Sequence, residues 1–239
     1  VQVTISNTAN VIVSSPMNVG GYYLILESLS SASSAANSSD TVSGSIQTSI
    51  NSFLVASLAW DSTVTQAASG SVISNPSLNW IRSVQNPDLG TSGGSGPVEI
   101  WTAQNTVGGN ISITASFENR AVSKGMVMYS FVNHSLTGAA ASASQQTTGS
   151  AKITTQKKNS IVVGVVCDFA GDTSTGYPTV TYTGSAVKVW DDVVFANTDY
   201  AAYHFYYSNM TPESTYTGGI NSPISTGQQS IALLEIKSI

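Results

Sequence analysis

Two stretches, NSFLVASLAWD at 51 to 61 and NSIVVGVVCDF at 159 to 169, constrain the fold of this 239-residue chain more than any other feature. Each enters on Asn-Ser, continues through an apolar run and meets an Asp close to its exit. Continuous runs of this kind suit strands that are central in a sheet or buried on both faces. The likeness continues downstream. PSLNWIRSVQN resembles YPTVTYTGSAVKVWDD, EIWTAQN lines up with HFYYSN, and GMVMYSF aligns with SIALLEI. From Asn51 to Met126 is 75 residues and from Asn159 to Ile231 is 72. Four strand-like blocks at near-equal spacing argue for an internal structural duplication.

The segments between these blocks are short, β-branched and aromatic, and none has the apolar stripe of a helix. NISITASFE alternates, with Ile111, Ile113, Ala115 and Phe117 on one face, as a half-exposed strand does. SSASSAANSSD (30 to 40) and GAAASASQQTTGS (138 to 150) read as small-residue connectors. About a dozen strands with turns at regular intervals predict an all-β chain: a jelly-roll or Ig-like β-sandwich with two similar halves. No Pro-rich or charged linker separates the halves, so residues 22–239 are expected to form a single sandwich head, its halves spanning roughly 22–134 and 145–239.

The N-terminal VQVTISNTANVIV stands apart. Val1, Val3, Ile5, Val11 and Val13 share one face with Asn7 and Ala9, while the other is polar apart from Ile12. Fully extended, the stretch would span roughly 40 Å. Residues 14–21, with Pro16 and Gly20-Gly21, form a flexible joint between it and the head. Either this strand opens its own sheet, or it crosses the joint and completes the open edge of a neighbouring copy by β-strand addition. Repeated head to tail, a contact that does not close gives a filament.

Composition excludes several functions. Eight basic against thirteen acidic residues give a net charge of −5 with no basic patch, which leaves nucleic-acid binding without electrostatic footing. No apolar run approaches the ~18 residues of a membrane span, and a secretory leader is expected to have been removed. Charged residues make up only 9%, against roughly 25% in ordinary soluble domains, so water meets mainly hydroxyls and amides. Four sequons, at Asn37, Asn110, Asn133 and Asn209, fit a secreted product bearing N-linked glycans. The single cysteine, Cys167, lies in an apolar run and reads as a small buried hydrophobe. His134 and His204 lack catalytic partners in sequence, no metal-ligand spacing is present, and neither an enzyme nor a cofactor is expected. Trp60, Trp80, Trp101, Trp190 and the patch YHFYY (203 to 207) fit core packing first. Exposed, they would instead suit a lectin-like carbohydrate-binding module, which is the alternative function.

An alternating N-terminal strand, a Ser/Thr-rich β-sandwich head, several sequons and very few charges resemble the thread pilins of thermoacidophilic archaea. Heads in that family resemble bacterial type I pilins and join by donor-strand complementation. The resemblance implies an extracellular, glycosylated cell-surface filament of identical subunits, with residues 1–13 as donor strand and roles in adhesion to surfaces or other cells, or in biofilm formation. A chain so poor in charge also has little to redistribute when the pH falls.

Overall fold

The computed structural model describes residues 23–34, 40–62, 70–86, 96–117, 121–145, 150–172, 180–184, 186–196, 199–208, 211–221 and 228–239. Strand is the only regular structure among them. The first half contains β1 (Ile25–Ser34), β2 (Thr41–Thr48), β3 (Phe53–Ser62), β4 (Gly70–Asn75), β5 (Ile81–Asn86), β6 (Val98–Gln104), β7 (Gly109–Phe117) and β8 (Ala121–Val132). The second contains β9 (His134–Gln145), β10 (Ser150–Thr154), β11 (Ile161–Asp172), β12 (Thr181–Tyr182), β13 (Ala186–Ala196), β14 (Asp199–Ser208), β15 (Thr215–Asn221) and β16 (Gln228–Ser238).

Strand order makes the duplication explicit. The first half forms sheets β1-β8-β3-β6-β5 and β2-β7-β4, and the second forms β9-β16-β11-β14-β13 and β10-β15-β12. Adding eight to each strand number of the first half gives the second. All pairs are antiparallel, and each half closes its first strand on its last, as an eight-stranded jelly roll does. The register agrees at residue level. Ala56 lies opposite Trp101, and Gly164 opposite Tyr206. A bulge falls between Arg82 and Val84 in one half and between Lys188 and Trp190 in the other. Asn51 and Asn159, the Asn of each Asn-Ser pair, have φ of 62° and 63°. Asn tolerates this left-handed conformation, which turns the chain into β3 and β11.

Burial explains the continuous apolar runs. Phe53, Val55 and Ala59 point into a central core with Ile161, Val163, Val165 and Cys167, while Leu54, Ala56, Leu58 and Trp60 point outward to Ile111, Ile113, Ala115 and Phe117 of β7. On β11, Val162 and Val166 face Ile153, Tyr216 and Ile220 instead. The molecule is therefore four layers deep, with the two five-stranded sheets inside and the three-stranded sheets outside. β3 and β11 are buried on both faces because each has a sheet above and below it. β7 alternates because its outer face meets water, and Cys167 is fully buried.

Two features differ from the sequence reading. The expected single sandwich with two similar halves takes the form of two eight-stranded sandwiches packed through their separate five-stranded sheets, stitched by Asn86 Nδ2 donating to the Ala143 carbonyl at 2.6 Å and by the Ser123–Tyr203 hydroxyl pair. The small-residue stretches are also not simply connectors. SSASS ends β1 and GAAASASQ lies within β9, so the second structural repeat starts at His134 and not near 145. Small side chains suit such edge strands because large neighbours already fill the space: a Cβ on Gly138 of β9 would collide with the Glu235 carboxylate.

Because the halves share one core, replacing Val55 or Val163 by Asp buries an unpaired carboxylate between the inner sheets and should cost several kcal/mol. The expected result is one cooperative calorimetric transition shifted for the whole chain. Two separate transitions, with only the mutated half moving, would show that the halves fold independently.

Candidate attachment and docking surfaces

The turns β2–β3 and β10–β11 are each held by one buried or half-buried carboxylate, contributed from different strands. Glu27, in the β1 bulge, accepts from the Ser49 N–H at 3.1 Å and from Ser130 Oγ at 2.7 Å. In the second half the position of Ser130 is taken by Glu235, which accepts from the N–H groups of Gln156 at 2.9 Å, Lys157 at 3.2 Å and Ala139 at 2.9 Å. The place of Glu27 then falls to Gly138, where a Cβ would lie 2.0 Å from Glu235 Oε2. Asn105 secures the neighbouring β6–β7 turn by donating Nδ2 to Thr48 Oγ1 at 2.7 Å and accepting from Val107 and Gly108.

At the same end, His134 lies 3.2 Å from the Asn51 carbonyl and packs on the Phe53 ring, while Ser238 pairs with His134. Tyr23, Ile50, Val107, Leu136 and Ile239, five of the exposed large apolar residues, flank these turns. The candidate donor residues Val1, Val3, Ile5, Val11 and Val13 lie outside the described residues, as do Asn37 and Asn209. Asn110 is the second residue of β7, with an exposed side chain opposite Gln47, and Asn133 occupies the β8–β9 turn, half-buried, with φ of 57°.

A second surface lies along one side of the first half. β1 and β2 close the opposite side through Ser28 Oγ and the Gln47 carbonyl. On the β4–β5 side, β5 pairs with β6 of the inner sheet, and β4 is the edge of the outer one. Buried Glu99 lies in this gap. It accepts from the Gly70 N–H at 3.2 Å, Arg82 Nη1 at 3.0 Å and Trp101 Nε1 at 2.6 Å. The Arg82 guanidinium sits 5.8 Å from the centre of the Trp101 ring, and Trp80 Nε1 donates to Ser74 Oγ at 3.1 Å. In the second half, His204 and Tyr206 take the places of Glu99 and Trp101, and Tyr182 packs edge-on against both.

Glu99 and Glu235 are buried positions that the sequence reading did not single out. Their signal is an isolated acid within an apolar run, in VEIWTAQ and IALLEIK. Both carboxylates are consumed by donors of their own chain, so they organise backbone. Among the described residues no three His, Cys, Asp or Glu side chains gather as a metal-holding group. Comparison with protein-family models, curated proteins and solved structures found no match.

Ionisation in the interior is dominated by phenols. Burial pushes Tyr129, Tyr203 and Tyr206 well above the ordinary value, and Tyr216 up to about 12. Burial lowers Lys124, with the charge of Asp40 opposing.

Two outcomes are expected. Glycopeptide mass spectrometry of native protein should find added mass at one or more of Asn37, Asn110, Asn133 and Asn209. Asn110 is the most accessible of the described pair, and unmodified peptides at all four would refute the assignment. In alkali, the unfolded phenols lose protons near pH 10 while the folded ones keep theirs, so their contribution is intact below pH 10 and lost as pH rises above it. Lys124 acts oppositely, its burial penalty fading towards pH 10.5, but four tyrosines outweigh one lysine. Melting temperature should therefore fall steeply above about pH 10, together with tyrosinate absorbance on unfolding. A flat profile to pH 11.5 would contradict the burial of these rings.

Proposed function

We propose that this chain is the subunit of an extracellular, glycosylated filament. Residues 1–13 of one copy complete a sheet of the next, and the assembled fibre serves adhesion or biofilm formation. The observation that carries the reading is the mismatch between the duplication and the chain. Strands β1 to β16 span 25–238 in two matching sets of eight, and only Asn133 separates β8 from β9. The described strands thus leave no room for a counterpart of the N-terminal segment between the halves, which supports reading its alternating pattern as a strand donated beyond either set. The low charge, the sequons and the resemblance to thread pilins support the same conclusion.

A carbohydrate-binding module is the second reading, favoured by the half-buried Trp80 and Trp101 beside Arg82. It is the weaker one because Arg82 already covers the Trp101 ring and the indole N–H of each Trp is already donated within the chain. The ring faces and donors that a sugar would use are largely spoken for.

Each Val or Ile of an inserted strand contributes roughly 1.5–3 kcal/mol on burial, and each ladder hydrogen bond adds about 1 kcal/mol net. Even after the cost of ordering the strand, such a joint survives dilution. Deleting residues 1–13 should yield a folded head that forms no fibres by negative-stain imaging. Adding the peptide VQVTISNTANVIV should raise its melting temperature by mass action. Lys at both Val3 and Ile5 should block assembly of the full chain. Normal fibres from the truncated head, or discrete particles that bind a glycan array, would refute the filament reading.

A further inference from the structure

Resting on that reading, we infer that the acceptor is the free edge of β4, in the lane between β4 and β5, and that its occupant is the N-terminal strand of a second copy. A jelly roll divides eight strands between two sheets. Here β5 has left the outer sheet for the inner one, so the outer sheet has three strands and stops at β4. Among the described residues nothing pairs along the far edge of β4. The Gly70 N–H points away from β7, towards Glu99, and the two-residue period of a strand turns the backbone groups of Val72 and Ser74 the same way. That edge offers donors and acceptors to one further strand.

The surroundings fit the proposed occupant. Leu78, Trp80 and Trp101 pack on the outer core while still partly exposed, giving an inward-facing apolar side chain something to cover. Arg82 and Glu99 pair within the lane and cancel, which suits a donor without a single charged residue. β4 has six residues, so it can pair with about half of VQVTISNTANVIV, and three alternate residues such as Val1, Val3 and Ile5 would then face inward. Ile73, on the outer face of β4, is 64% exposed, and a neighbouring strand would cover its flank.

Among the described residues the second half offers no equal site. β12 consists of Thr181 and Tyr182 alone, and Tyr182 fills the corresponding gap against Tyr206, with ring centres 5.4 Å apart. On the described residues one head therefore has one acceptor for its one donor, which produces an unbranched chain.

Cysteine trapping tests the assignment. Directly opposed side chains on neighbouring strands have Cβ atoms about 4.5–5.5 Å apart, close enough for mild oxidation to join them. The full-length chain would carry Ile73→Cys together with one of Gln2→Cys, Thr4→Cys, Ser6→Cys, Thr8→Cys or Asn10→Cys, which lie on the outward face of the donor. Buried Cys167 stays silent. The expected result is a ladder of disulfide-linked multimers on non-reducing gels for one register, and none when Thr181→Cys replaces Ile73→Cys. Fibres that form normally but cross-link only through Thr181→Cys, or not through Ile73→Cys in any register, would move the acceptor elsewhere and leave the donor mechanism standing. A disulfide within the monomer would show that the strand pairs in its own copy and overturn both. If the chain forms no fibres and the truncated head ignores the peptide, the filament reading itself fails.

Discussion

The packing of β3 on β11 is the contact on which the rest of the structure depends. Each strand contributes one face to the central core and the other to an outer core, so both outer sheets are referenced to the same pair. A side chain such as Val55 or Val163 therefore lies in the middle of four layers, not at the boundary of two units. Stacking two jelly rolls through their larger sheets also removes from water the surfaces that would otherwise be the largest apolar faces of the chain. That allows a protein with so few charges to place hydroxyls and amides on its outside and still bury a large core.

Much of this was legible in the residues, for a physical reason. A strand covered on both sides has no polar positions to spare, so LVASLAW and IVVGVVC announce their depth directly, whereas NISITASF announces one wet face. The four matched blocks correspond to strands that occupy equivalent places, and Met126 and Ile231 take equivalent positions opposite Leu58 and Val166. Depth beyond two layers was not legible. A doubly buried strand looks the same whether its second cover is the same sandwich or another one. The end of β1 and much of β9 were obscured because edge strands packed against bulky neighbours need little more than Ala, Ser and Gly, a composition shared with loops.

The candidate surfaces were less readable still. The sequons and the alternating pattern of the N-terminal segment are written in the primary sequence, but the β4–β5 side of the first half depends on β5 choosing β6 over β4, a tertiary choice that no local pattern encodes. Arg82, Glu99 and Trp101 come from two strands and meet only because of that pairing. Their mutual satisfaction shows that an aromatic and charged cluster beside a sheet edge can serve the fold first.

The carboxylate that holds each turn has a history built into its geometry. Glu27 reaches its turn from the strand beside Ser130, while Glu235 stands where Ser130 stands and reaches the equivalent turn across Gly138. The two solutions are mutually exclusive within one half, since Glu at both places would crowd two like charges over a single turn, and Glu at neither would leave the amide groups of the turn without their carboxylate acceptor. If the halves descend from one ancestral unit, any stepwise route between them passed through one of those two handicapped intermediates. For the same reason β1 and β9 are not interchangeable parts. A chain assembled from two identical copies of either half would keep its turns, but trading the single strands between halves would break both.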